Sequence, residues 1–378
     1  MIIDLVGPSF PFRGGISHYT TLLFKHLKEK QRTNFYCLKR QYPRIFYPGK
    51  TDLEESQVVL KDEDALPVLD ALNPLSWLDV AVRVIKDRPD LTIFPWWVVY
   101  WTLPFLSIIS LVKLFSKSKI LFICHNVVEH EAHPVKSLLS KAALGLGDAF
   151  IVHSTQEKES LTRLTGKLRV TVVFPPLYEP FHTAPIQKDQ AKRKLGIRDE
   201  RVLLFFGFVR EYKGLRYIIE ALPAIRRKFN VRLLIAGEFW EDKKTYLRLI
   251  EESGLEEKVT IIDRYIPNED IPLYFCAADL AVLPYTSVTG SGALQLAKGF
   301  HVPAVVTNIG SFSEIVTDKR TGFHVPPRDS KAIAAAVIDF FENWDGEKMS
   351  REIEQDNRRF SWPAMVQAIE DFALGGKR

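Results

Sequence analysis

An α/β protein built of two doubly wound parallel sheets is what this 378-residue sequence predicts. Three observations carry the expectation. Short apolar runs of strand length alternate with helical periodicity almost from end to end. The alternation breaks once, at Phe174-Pro175-Pro176-Leu177-Tyr178-Glu179-Pro180, and then restarts. A chain with 46% hydrophobic and 26% charged residues is ordinary for a globular protein, and its length is comfortable for two domains.

Taken in order, strands are expected at 2–6, 34–38, 91–94, 119–124, 149–153 and 170–174. A helix at 16–30 carries Tyr19, Leu22, Leu23, His26 and Leu27 on one stripe. Residues 42–75 are polar and proline-bearing and read as a long loop with short elements. The run 91–115 is nearly all apolar, and a membrane span of about twenty residues would fit it. Pro95 and Pro104 break that run, and Thr102, Ser107 and Ser110 interrupt it. A strand, an aromatic loop and a buried helix at 104–115 are therefore expected. The prolines at 175, 176 and 180 make a stiff linker. Strands resume at 202–206, 232–236, 259–262, 280–283, 304–307 and 323–325. Phe360-Ser361-Trp362-Pro363 opens a last helix, with Ser361 as its cap. The domains are thus 1–177 and 178–359, with 360–378 crossing back to the first. Ligands of open α/β sheets bind at strand carboxyl ends, which places one in a cleft between facing domains.

Net charge is +5, too small to imply nucleic acid. Residues 1–50 hold nine lysines and arginines against Asp4 and Glu29, which is either a solvated surface or an attraction to anionic lipid or acceptor. Cys37, Cys124 and Cys276 are far apart and odd in number, as expected of reduced thiols in a cytoplasmic protein. The start, Met1-Ile2-Ile3-Asp4, reads as a core strand rather than a signal peptide.

The densest chemistry lies at Phe205-Phe206-Gly207-Phe208-Val209-Arg210-Glu211-Tyr212-Lys213-Gly214. Two cations flanked by glycines, between a strand end and a helix start, form an anion trap. A second loop, from Pro284 through Thr289-Gly290-Ser291-Gly292 to Gln295, follows the strand at 280–283. Two phosphate-friendly loops on one α/β domain suggest a diphosphate.

These residues resemble the retaining GT-B glycosyltransferases of family 4, the glycosyl transferases group 1. Gly14-Gly15-Ile16 with His18 and Tyr19 resembles the family's amino-terminal glycine loop, and His125-Asn126 its His-Asp or His-Asn pair. The stretch 207–214 resembles its cationic donor loop. Pro303-Ala304-Val305-Val306-Thr307 with Gly310 and Glu314 resembles its Pro-Val-Ile-Ala-Thr signature, and Phe360-Ser361-Trp362 its crossover helix. The resemblance covers nearly the whole chain and implies two Rossmann-like domains. One departure is plain: the usual Glu-x7-Glu pair is replaced by Val288 and Leu296, with Gln295 one position early.

The resemblance implies transfer of a hexose from a nucleoside-diphosphate sugar to a saccharide or lipid-linked acceptor, with retention. Charge grows on the leaving diphosphate, so Arg210 and Lys213 are candidate catalytic cations that make a divalent metal unnecessary. His125 is the third catalytic candidate; a satisfied structural histidine is its alternative. Gly14, Gly15, Gly207, Arg264, Tyr265, Thr289, Ser291, Gly292, Gln295 and Glu314 are the donor-binding candidates. Their bland alternatives are plain turns, surface packing and helix capping. Trp96, Trp97 and Glu131 are expected on the acceptor side, with core packing the alternative for the tryptophans. His130 and His133 lack the i, i+4 spacing of a zinc helix, so no metal or other cofactor is expected. Peripheral contact with an anionic membrane at the cytoplasmic face fits the basic start and the aromatic loop, in cell-surface polysaccharide synthesis. Two other readings stay open. One is a nucleotide-sugar-binding subunit without turnover, which the missing glutamates favour. The other is a dinucleotide oxidoreductase, against which no Gly-x-Gly-x-x-Gly follows the strand at 2–6.

Overall fold

The computed structural model describes residues 1–41, 51–54, 56, 60–127, 134–182 and 186–375. They fall into two units. Met1–Glu55, Val59–Pro176 and Phe360–Arg378 make the first, and Ser56–Val58 with Leu177–Arg359 the second.

The first unit is a seven-stranded parallel sheet. Its strands are β1 (Ile2–Gly7), β2 (Arg32–Arg40), β3 (Ala65–Asp70), β4 (Leu91–Trp96), β5 (Lys119–Cys124), β6 (Ala149–Val152) and β7 (Val170–Val172). They lie in the order β3-β2-β1-β4-β5-β6-β7. Its helices are α1 (Gly15–Lys28), α2 (Pro74–Asp87), α3 (Thr102–Phe115), α4 (Pro134–Gly145) and α5 (Thr155–Thr165). Central strands covered on both faces are largely apolar, as β4 and β5 are apart from Thr92 and Lys119, because helices pack on each side.

The stretch read as loop, 42–75, contains β3 and the start of α2. β3 is an edge strand with mostly exposed or half-exposed residues, so it lacks the apolar alternation that marks a strand in sequence. The edge position also tolerates Pro67. Asn73 caps α2, its side chain accepting from the Leu75 amide. The helix read as buried, α3, is buried on only one face.

The second unit is a six-stranded parallel sheet. It comprises β8 (Arg201–Phe206), β9 (Val231–Ala236), β10 (Val259–Ile262), β11 (Leu280–Leu283), β12 (Ala304–Thr307) and β13 (Gly322–Val325). Its helices are α6 (Lys188–Lys194), α7 (Leu215–Arg226), α8 (Lys243–Glu252), α9 (Ile271–Ala277), α10 (Gly292–Gly299), α11 (Phe312–Ile315), α12 (Ser330–Asn343) and α13 (Gly346–Asp356). α7 buries Leu215, Ile218, Ile219 and Leu222 at the spacing the sequence shows. The sheet order is β10-β9-β8-β11-β12-β13. The chain therefore runs outward from β8 to β10, returns beside β8 as β11, and runs outward the other way. Helix packing opens a crevice at such a reversal.

The last helix, α14 (Trp362–Ala373), belongs to the first unit and touches α1. Ser361 caps it by accepting from the Ala364 amide, and Trp362 lies 5.4 Å from the ring of Tyr19.

Candidate active site

The reversal in the second unit falls between β8 and β11, and the two loops singled out in the sequence leave those two strands. Gly207 follows β8 with φ of +100°, a conformation that L side chains rarely adopt. A Cβ there would also stand 2.9 Å from Lys213 Nζ, so glycine leaves room for the ammonium against the backbone. A short 3-10 turn, Glu211–Lys213, then closes on Gly214 at φ +69°. A Cβ on Gly214 would meet the Pro284 carbonyl oxygen at 2.1 Å. That close approach seats the first loop on the second. The Thr286 amide donates to the Tyr212 carbonyl at 2.7 Å and ties them further.

Lys213 is half-buried, its Nζ 5.6 Å from the centre of the Tyr285 ring. Burial, and then the neighbouring Arg210, push its pKa down to about 8. No ion pair among the described residues joins a carboxylate to either cation. Arg210 is exposed and lies 5.6 Å from the Tyr212 ring and 5.8 Å from Trp240. Two cations without a matching carboxylate, on a loop held by backbone contacts, form a site poised for an anion.

The other donor candidates gather along the same carboxyl edge. Thr289 and Gly292 sit with Ser291 in the loop after β11 that starts α10. Ser291 caps α10 by accepting from the Leu294 amide at 3.3 Å and donates to the Tyr285 hydroxyl at 3.3 Å. Gln295, one turn into α10, is 2% exposed, and neither end of its amide has a partner among the described residues. An unmet amide at such depth costs stability unless a ligand meets it. Glu314 follows β12 in α11, and its carbonyl accepts from Arg359 at 2.9 Å. Arg264 follows β10 and pairs with Asp270 at 2.7 Å, which raises its pKa. Tyr265 stands 6.0 Å from Phe208, which stacks on Trp240 at 4.1 Å. Phe208 and Trp240 were not among the sequence candidates. Aromatic residues beside a strand end read equally well as core.

In the first unit, Gly14 caps α1 just beyond β1 with φ of +111°. No atom of the described residues lies within 4 Å of a Cβ built there, so the glycine serves backbone conformation rather than a close approach. His125 follows β5, where its amide donates to the Trp96 carbonyl. Strand register pairs Cys124 with Val152 and so brings His125 beside His153, ring centres 5.0 Å apart. Tyr19 meets His125 edge-on at 4.6 Å. The Val173 carbonyl can only accept, so the 2.8 Å contact with His153 Nδ1 puts the proton on that nitrogen. Burial first, and then His153, push the His125 pKa well below 6.5. Burial takes His153 down to about 4. Nearby, Glu157 accepts from the Val127 amide at 2.6 Å, and burial raises its pKa to about 7. His153 and Glu157 were missed as site residues. His153-Ser154 ends an apolar strand just as His125-Asn126 does, and that parallel was the available signal.

The tryptophan expectation needs correcting. Trp96 and Trp97 are 1% and 7% exposed and lie in the hydrophobic core of the first unit. Trp96 lies in the central strand β4, and the Trp101 and Phe105 rings pack near Trp97, ring centres 5.8 and 6.4 Å away. Glu131, His130 and His133 lie outside the described residues.

Residues 187–360 match the family model described as glycosyl transferases group 1. That stretch is similar to the group 1 glycosyl transferases. Among curated proteins, an uncharacterised glycosyltransferase of Methanocaldococcus jannaschii is 30% identical over 161 residues, covering 42% of this chain and 40% of that protein. A D-inositol 3-phosphate glycosyltransferase of Corynebacterium glutamicum is 26% identical over 208 residues, covering 52% and 49%. The chain thus spans about half or less of the length of these relatives. Among solved structures, sucrose-phosphate synthase of Thermosynechococcus elongatus superposes with a TM-score of 0.73 at 17% identity, over 98% of both chains. HepE of Anabaena, solved with UDP and glucose, gives 0.76 at 16%, again over 98% of both. The fold is GT-B. The group 1 match contains every predicted donor residue except Gly14 and Gly15.

Proposed function

We propose that the chain is a glycosyltransferase. It moves a hexose from a nucleoside-diphosphate sugar to a saccharide or lipid-linked acceptor at the cytoplasmic face of a membrane, in the building of a cell-surface polysaccharide. The observation that carries this reading is the pair of loops at the β8–β11 reversal, with Lys213 and Arg210 unmatched by carboxylates between them. The bond from the anomeric carbon to the β-phosphate oxygen breaks, and negative charge accumulates on the departing diphosphate. Lys213 and Arg210 take up that charge, and Ser291 and Gly292 add the start of α10. The buried amide of Gln295 is assigned to the donor, in place of the missing glutamates. A neutral His125 offers one hydrogen bond to a sugar hydroxyl or phosphate oxygen without competing for the cations' charge. Retention follows if the departing phosphate oxygen accepts the acceptor's proton on the same face, and the two cations leave no step that requires a metal.

The test is a thermal-shift screen of UDP-, GDP- and ADP-sugars, since a ligand that binds the folded state raises its melting temperature. A hit is then followed by NMR of the product anomer, with and without a chelator. One donor should stabilise the protein and yield product of unchanged anomeric configuration in chelator. No stabilisation by any donor, with no transfer, would overturn the reading.

A further inference from the structure

β5 runs into His125 and β6 into His153, and the register that pairs Cys124 with Val152 sets the two imidazoles side by side. Both are neutral at pH 7, because burial pushes each pKa down, that of His153 to about 4. Each ring therefore carries one N–H and one lone pair. Which nitrogen holds which decides what the ring can recognise.

For His153 the backbone decides. Its Nδ1 lies 2.8 Å from the Val173 carbonyl, which only accepts, so the proton sits on Nδ1 and Nε2 is a lone pair. Val173 lies just past β7, on the far side of β6 from β5. The two nitrogens of an imidazole point in widely diverging directions. A ring that turns Nδ1 toward β7 thus turns Nε2 back toward β5, where His125 stands. That Nε2 is buried and has no hydrogen-bond partner among the described residues.

His125 has the matching need. Its Nε2 is also buried without a partner among the described residues, on a ring whose centre is 5.0 Å from that of His153. A lone pair at that nitrogen would be set against the His153 lone pair, away from water, whereas an N–H would be attracted to it. The favoured tautomer of His125 carries its proton on Nε2, which leaves Nδ1 as the nitrogen for a ligand. Through Nδ1 it then accepts a hydrogen bond and cannot donate one.

We propose that His153 is a positioning residue that fixes the tautomer of His125, so that the first unit's site reads a sugar hydroxyl and not a phosphate oxygen. A hydroxyl can donate to Nδ1, while a diphosphate oxygen without a proton would meet a lone pair. Control runs from the Val173 carbonyl through His153 to His125. That the hydroxyl belongs to the transferred hexose rests on the transfer reading; the tautomers do not.

The test labels the histidines of the full chain with 15N and records long-range 1H–15N correlation spectra at pH 7 without substrate. His153 should be protonated on Nδ1 and His125 on Nε2. His153→Asn keeps an amide N–H for the Val173 carbonyl but places no acceptor where Nε2 lies, and His125 should become a mixture of tautomers. His153→Gln carries an amide oxygen out to that position and should restore the single tautomer. Wild type should then lose about tenfold or more in kcat/KM on one monodeoxy analogue of the donor that the thermal-shift screen identifies. His153→Asn should lose most of that preference and His153→Gln regain it. A wild-type His125 protonated on Nδ1 would overturn the proposal by itself, whether or not the variants fold. So would a tautomer unchanged in His153→Asn, or a preference among deoxy donors equal in all three proteins. Because the spectra need no substrate, absence of any donor would defeat the transfer reading while the tautomers still decide the role of His153.

Discussion

At the carboxyl edge of the second unit's sheet, Lys213 and Arg210 stand among aromatic rings, with no carboxylate paired to either among the described residues. At the same edge of the first unit's sheet, His125, His153 and Glu157 are buried, and burial drives each toward its neutral form. The two sheets share one strand-ordering logic, with a reversal at β8–β11 in one and at β1–β4 in the other. Similar architecture therefore carries opposite electrostatics. A concentrated negative charge suits the second unit, whereas the first suits uncharged hydroxyls. Intrinsic basicity makes the difference: burial lowers Lys213 from 10.5 only to about 8, so it stays mostly protonated at neutral pH, while the same cause leaves the imidazoles neutral.

The largest effect expected from breaking this contrast is Lys213→Ala, which should lower kcat about 10²–10³-fold, the scale of losing one preorganised donor. Steady-state kinetics on the folded variant would show it, and near-normal turnover would remove Lys213 from the mechanism. Gly214→Ala should come next. It adds a side chain at φ +69° and 2.1 Å from the Pro284 carbonyl, and should cost at least about 2 kcal/mol in denaturant unfolding. A third effect concerns pH. Lys213 loses its proton as pH rises through about 8, so donor affinity should fall across that range. The His125 pKa is depressed well below 6.5, so no change in affinity is expected from that residue near 6.5. The same depressed lysine makes folding stability rise with pH between about 8 and 10.5, because the unfolded chain then binds the extra proton. Lys213→Met should remove that rise and melt slightly higher than wild type at pH 7. The smallest effect belongs to Glu157. Its raised pKa means that the folded state holds a proton the unfolded state has lost, so stability falls as pH climbs from 4.5 to about 7. Glu157→Gln keeps the acceptor for the Val127 amide and should flatten that part of the melting-temperature profile. An unchanged slope would place it elsewhere, with Asp4, also raised to about 7 by burial, the next group to change.

Much of the fold could be read in the sequence, because buried parallel strands such as 119–124 and 202–206 are continuous apolar runs, and glycines mark their ends. β3 could not, since an edge strand needs only one covered face and carries Pro67. The cation loop was legible because glycines at 207 and 214 are demanded by backbone conformation and close approach, and such demands leave a residue-type signature. Burial leaves a weaker one. Trp96 and Trp97 look the same in sequence whether they face a ligand or a core, and only the central position of β4 decides for the core. His153 escaped notice because its partner His125 is a neighbour across strands, not along the chain.

The central claim is that the loop carrying Arg210 and Lys213 holds a diphosphate, and calorimetric titration tests it most directly. UDP, GDP and ADP would be titrated into wild type and into Lys213→Ala. At least one should bind wild type and bind the variant about tenfold or more weakly, with the difference shrinking above pH 8. Equal affinities for wild type and variant, at any pH, would contradict the account.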